Sequence, residues 1–69
     1  MNEQDVRKIK SAIILKFGTQ GRFAAKIGIS GSAVTRVLTG QRTLTHDELL
    51  IWGRGLGLKV SYLNRVINS

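Results

Sequence analysis

Glycine falls at positions 18, 28 and 40 of this 69-residue chain, and proline falls nowhere. Between these glycines the apolar residues recur at intervals of three and four, the spacing that gathers side chains on one face of a helix. A chain cut this way has room only for short helices. Helices of about ten residues are marginal in isolation and persist only when their apolar faces bury one another. The expectation is an all-α fold: a compact bundle of about five short helices, forming one domain over residues 1–69. A chain this short buries only about 60% of the surface its unfolded form exposes, so it gains from self-association.

The segments are readable one by one. Residues 2–16 carry Val6, Ile9 and Ile13 at helical spacing, continued by Phe17, with Glu3 and Asp5 in the first turn, where carboxylates suit the helix dipole. Thr19 is a candidate N-cap for a second helix running to Ile27, with Phe23, Ala24 and Ile27 inward. Ser30 is a candidate cap for a third, running to Thr39, with Val34, Val37 and Leu38 inward. Thr45-His46-Asp47-Glu48 fits a capping box, and Leu44 and Leu49 fit the hydrophobic staple across it. Leu49, Leu50, Trp52 and Leu56 then supply apolar surface. Gly53, Gly55 and Gly57 weaken the end of that fourth helix, each costing about 1 kcal/mol against alanine if internal. The last segment, residues 60–67, reads as a helix with Val60, Leu63, Val66 and Ile67, although LKVSYL is also permissive of a strand.

Charge narrows the partner. Eleven Lys and Arg face four Asp and Glu, a net of +7, and most of the excess lies in residues 1–42. A field of this sign favours a polyanion: a nucleic acid or an anionic membrane surface. Cysteine is absent and histidine occurs once, so neither a disulfide nor a zinc site of Cys and His is expected, and no cofactor is implied. The polar start MNEQDVRKIK has no secretory pattern, and no run approaches the roughly 18 apolar residues of a membrane span.

The second and third segments carry the most specific signal. Gln20, Phe23, Ala24, Ile27, Gly28, Ile29, Ser30, Val34, Thr35, Val37 and Gly40 match the pattern Q-x-x-[FL]-A-x-x-[IVL]-G-[IV]-S-x-x-x-V-[ST]-x-[VIL]-x-x-G. This resembles the helix-turn-helix, at about residues 19–40, of the lambda-repressor-like family. That family includes phage Cro and repressor proteins and bacterial Xre-type regulators. LTHDELLIWGRGLGLKVSYL resembles the same family's fourth helix and the start of its fifth, so the likeness covers about residues 6–66.

The resemblance implies a regulator of transcription that binds double-stranded DNA at a palindromic operator. It also implies action as a homodimer, at least on DNA, in the cytoplasm of a bacterium or a phage-infected host. Gly31, Ser32, Thr35 and Arg36 take the places of base contacts. Arg36 has the fork that reads guanine O6 and N7, and Thr35 carries a methyl that suits thymine. Thr19, Gln20, Arg22, Thr39, Gln41, Arg42 and Thr43 are candidate contacts to the DNA backbone. In some relatives the residue equivalent to Gln20 braces a glutamine at the position of Gly31, a role that glycine removes. Tyr62, Val66 and Ile67 are candidate dimer-interface residues, with a place in the core as an equal alternative.

Other readings set the contrast. No nucleophile, base and acid stand in a catalytic arrangement, and the four carboxylates fall in first helical turns, so no enzyme activity is expected. No small-molecule ligand is evident. The same fold also serves as a protein-interaction module, such as the antitoxin of a toxin–antitoxin pair, which an exposed apolar patch in residues 58–69 would favour. A membrane-surface peptide needs one long amphipathic stripe, and RNA binding a row of stacking aromatics; neither is present.

Overall fold

A computed structural model describes residues 2–68 of the chain; the two ends of the domain expected over 1–69, at positions 1 and 69, lie outside the described residues. Five helices follow one another: α1 (Glu3–Phe17), α2 (Gln20–Ile27), α3 (Gly31–Leu38), α4 (His46–Leu56) and α5 (Val60–Ile67), with no strand among the described residues. The segment around LKVSYL is thus helical from Val60 onward, with extended backbone at Lys59.

Local side chains cap the starts of α1 to α4, while α5 begins after Lys59 with no side-chain cap. The Asn2 carboxamide accepts the Gln4 amide at 2.8 Å, a cap the spacing of apolar residues does not reveal. Thr19 Oγ1 accepts the Arg22 amide at 3.0 Å, and Ser30 Oγ accepts the Ala33 amide at 3.1 Å. Thr45 and Glu48 complete their capping box: the Glu48 amide donates to Thr45 Oγ1 at 3.2 Å, and the Thr45 amide donates to Glu48 Oε1 at 2.9 Å. Replacing such a cap with alanine typically costs about 1 kcal/mol.

The core gathers the predicted faces. Ile9, Ile13, Phe23, Val34, Val37, Trp52, Leu56 and Leu63 are essentially sealed from solvent. The Trp52 ring meets Phe23 edge-on, with centroids 5.0 Å apart, and Phe17 tilts against Phe23 at 5.1 Å. The radius of gyration is 10.5 Å, close to the ~11 Å that a compact chain of this length should show.

Two apolar assignments change. Leu50 is 37% exposed, because the buried stripe of α4 runs through Leu49, Trp52, Gly53 and Leu56 and leaves position 50 one residue off the face. Val66 and Ile67, expected at a dimer interface, are each 5% exposed and belong to the core of the single chain. With Leu63 they form one stripe of an eight-residue helix, and packing inward uses that stripe completely. Tyr62 flanks the stripe, half-buried. Its hydroxyl donates to Asp5 Oδ1 at 3.3 Å, and the Arg65 guanidinium lies 5.5 Å from its ring centre.

Gly53 also takes on a different meaning. A Cβ placed there would lie 2.8 Å from the Leu58 carbonyl oxygen. The chain turns back across α4 at this point, and only a residue without a side chain admits the approach.

Candidate nucleic-acid interface

Two eight-residue helices, α2 and α3, are joined by Gly28-Ile29-Ser30. Gly28 has φ +81 and ψ 28, the left-handed conformation that turns the chain sharply after α2, and the Ile29 amide donates back to the Ala24 carbonyl at 2.9 Å. Ile29 packs against the core from inside the turn. Ala24 is 2% exposed, a small residue buried on the second helix. Both short helices are therefore fixed by burial of one face each, and their other faces point outward.

On α3 the inward face is Ala33, Val34, Val37 and Leu38. Gly31, Ser32, Thr35, Arg36 and Thr39 are all exposed. Ser32, Thr35, Arg36 and Thr39 stand three, four and seven residues apart, one continuous row along the helix. Their polar groups are not equally free. Thr35 Oγ1 donates to the Gly31 carbonyl at 3.2 Å, which ties its proton into the helix. Thr39 Oγ1 donates to the Thr35 carbonyl at 2.9 Å. Ser32 Oγ lies 3.4 Å from Ser30 Oγ. The Arg36 guanidinium makes no hydrogen bond or ion pair among the described residues and is the main uncommitted donor of the row.

The flanking positions lie at the two ends of this pair of helices. Thr19 is exposed and spends its side-chain oxygen on the α2 cap, while Gln20 is half-buried at the first helical position. The amides of Gln20 and Gly21 have no acceptor within the helix, as at any helix start. Arg22 folds back so that its Nη1 lies 3.6 Å from the point where Gly18 would carry a Cβ. After α3, Gln41 and Thr43 are exposed and Arg42 is half-buried.

Arg42 differs most from its expected setting as a solvent-facing contact. Its Nη2 donates to Glu48 Oε2 at 2.6 Å. Glu48 thereby serves two masters with one carboxylate: Oε1 closes the capping box and Oε2 holds Arg42. The Thr45 backbone hydrogen bond holds the Glu48 carboxyl below the usual carboxylate range; burial opposes this, and the Thr45 side chain and the Arg42 charge assist it. Six residues separate the pair, so no helical periodicity signals it.

A second tie in the same loop also escaped sequence reasoning. The Asn68 carboxamide pairs with the backbone of Leu44: Nδ2 donates to the Leu44 carbonyl at 2.7 Å, and Oδ1 accepts the Leu44 amide at 2.8 Å.

The remaining cations are widely distributed. Among the described residues, ion pairs engage only Arg7, with Glu3 at 3.0 Å, and Arg42. A concavity of about 330 Å³ is lined by Lys8, Gly57, Leu58, Lys59 and Tyr62, none of them from α2 or α3. Burial, followed by the neighbouring Asp5 carboxylate, pushes the Tyr62 phenol above its ordinary range.

No family model matches the chain, and neither a curated protein nor a solved structure matches it significantly. The described residues also contain no helix long and apolar enough to cross a membrane and no cluster of His, Cys, Asp or Glu suited to a metal ion.

Proposed function

We propose that the protein binds double-stranded DNA sequence-specifically and regulates transcription, with α2 and α3 as a helix-turn-helix and α3 in the major groove. One observation carries the reading: the exposed row Ser32, Thr35, Arg36 and Thr39 on a helix whose other face is locked into the core. A helix in the major groove presents such a row to base edges, led by its N-terminal residues. Arg36 is the reader of a guanine, and its freedom from internal partners supports that role. Thr35, with its hydroxyl proton held by Gly31, recognises thymine through its methyl group. The amides that open α2, together with Gln41, Arg42 and Thr43, meet phosphates, which fix orientation without reading sequence.

The regulator is Cro-like: it occupies an operator and blocks polymerase. It binds as a two-fold dimer on a palindromic site. The described residues span 26 × 24 × 22 Å, so two neighbouring copies fit with their recognition helices about 34 Å apart. Of the three candidate interface residues, Tyr62 is the most accessible, since Val66 and Ile67 pack into the core of the single chain.

Selection from a random duplex library, followed by titration of the enriched sequence against a scrambled one, tests the function. A recurring motif bound at least about a thousandfold more tightly than the scrambled duplex is expected. Recovery of no motif overturns sequence-specific binding.

The protein-interaction reading draws on different residues from those expected. Leu63, Val66 and Ile67 are buried, so residues 58–68 offer no large exposed apolar side chain; Ile14, Leu15, Leu50 and Ile51 are the exposed ones. Leu15, at 86% exposure, is the most prominent and the first place to mutate if a protein partner emerges.

A further inference from the structure

Leu44 sits in the stretch between α3 and α4 where no helix satisfies its backbone, yet its side chain is 4% exposed. Burying an apolar side chain in a loop draws its peptide groups away from water, and they then require partners. Both come from one side chain 24 residues away, the Asn68 carboxamide, at 2.7 and 2.8 Å. The carboxamide is itself aimed: Nδ2 also donates to Asn64 Oδ1 at 3.2 Å, and the Asn68 amide donates to the Asn64 carbonyl at 2.9 Å. Only a primary amide offers a donor and an acceptor side by side in this way; a carboxylate lacks the donor and an aliphatic side chain lacks both.

The loop is fixed on its other flanks as well. The Gly40 amide donates to the Val37 carbonyl at 3.2 Å, the Gln41 amide to Arg36 at 2.8 Å, and the Thr45 amide to Glu48. Between these anchors, the amides of Arg42 and Thr43 make no hydrogen bond among the described residues. The loop is therefore tethered at both ends, with Arg42 also bridged to Glu48 of α4, and Asn68 is the tether that reaches it from the end of α5.

We propose that Asn68 is a positioning residue for DNA binding: by clamping Leu44 it sets the loop that carries Gln41, Arg42 and Thr43 to the phosphates. This rests on the DNA-binding reading above. It assigns the C-terminal end of α5 a part in binding although that end touches no base. An Asn68 that served only to finish α5 would influence stability but not the number of phosphates engaged.

The test uses the full chain with Asn68→Ala and with Asn68→Asp, which keeps an acceptor for the Leu44 amide but sets a carboxylate oxygen against its carbonyl. Two readouts are taken well below the unfolding midpoint: hydrogen exchange at the Leu44 amide, and the salt dependence of affinity for the selected duplex. In Asn68→Ala, Leu44 exchange should rise at least about tenfold, affinity should fall roughly five- to tenfold, and the log–log salt slope should flatten by about one phosphate. Asn68→Asp should lose at least as much affinity as Asn68→Ala, because its carboxylate repels the Leu44 carbonyl. A folded variant with altered stability but wild-type affinity and salt slope overturns the role of Asn68 alone. Failure of the wild type to bind any duplex overturns the DNA-binding reading, and this role with it.

Discussion

Replacing Gly53 and Gly55 by alanine, one at a time, should move stability in opposite directions. Both lie inside α4, and helix propensity alone favours each change by about 1 kcal/mol. The surroundings differ. At Gly55 a new methyl meets Phe23 Cε1 at 3.5 Å, Phe17 Cζ at 3.8 Å and Ile27 Cγ2 at 3.9 Å, all ordinary contacts. At Gly53 it meets the Leu58 carbonyl oxygen at 2.8 Å, roughly 0.5 Å inside the closest comfortable carbon–oxygen approach. That carbonyl has little freedom to retreat, because the Leu58 amide donates to the Gly53 carbonyl at 3.1 Å and ties the two backbones together. Overpacking of this kind costs about 1–3 kcal/mol, and a tethered backbone places the cost near the upper end. The net is a loss of about 2 kcal/mol for Gly53→Ala and a gain of up to about 1 kcal/mol for Gly55→Ala. For a domain of this size each kcal/mol shifts Tm by about 4–8 °C, so the two variants should separate by well over 10 °C. Urea unfolding followed by fluorescence reads the difference directly, since the single tryptophan, Trp52, is 1% exposed and reports on the core. A Gly53→Ala protein at least as stable as wild type would refute the close approach as the reason for glycine.

Three further expectations concern the interface. Arg36→Ala should cost roughly 1–3 kcal/mol on the selected operator and relax preference at one base pair; equal losses on operator and scrambled duplex would contradict base reading. Arg42→Ala should weaken both duplexes alike and flatten the salt slope by about one, with an unchanged slope counting against a phosphate contact. Its cost to folding should stay under about 1 kcal/mol, because the Glu48 bridge is partly exposed. Glu48 links the interface to acid. Its carboxyl is held below the ordinary range in the fold, so its contribution is complete above the unfolded carboxylate pKa and fades as pH falls through the folded value. Stability should therefore decline more gently with acid, below about pH 4.5, in Glu48→Gln, which preserves a capping acceptor; identical acid profiles for variant and wild type would remove Glu48 from this role.

What the sequence made legible is mainly what its neighbours decide. Thr19, Ser30 and Thr45 cap helices because each oxygen reaches an amide three residues on, and that geometry is written in the local order of residues. The inward faces of α2 and α3 follow from spacing in the same way, as does the exposed row on α3. The misses are contacts between distant residues or choices among adjacent apolar ones. Nothing in the order of residues joins Asn68 to Leu44, or tells that Gly53 faces the returning backbone at Leu58. Val66 and Ile67 were equally suited to a core or a partner until the packing of α5 placed them inward. Thr35 shows a finer limit: its exposure follows from spacing, but the commitment of its hydroxyl to Gly31 depends on the rotamer it adopts in the folded helix.

Gly31 opens α3 with ordinary negative φ, and a Cβ built on it would meet nothing within 4 Å. The fold asks for no glycine there. Unlike Gly53, which architecture dictates, position 31 is an interchangeable key-bit at the tip of the proposed reading helix. On the proposed DNA-binding reading, glutamine, arginine or serine at this position would keep the same core, caps and loop tethers while addressing a different operator. On that reading, a change of target would need one residue and no change of scaffold.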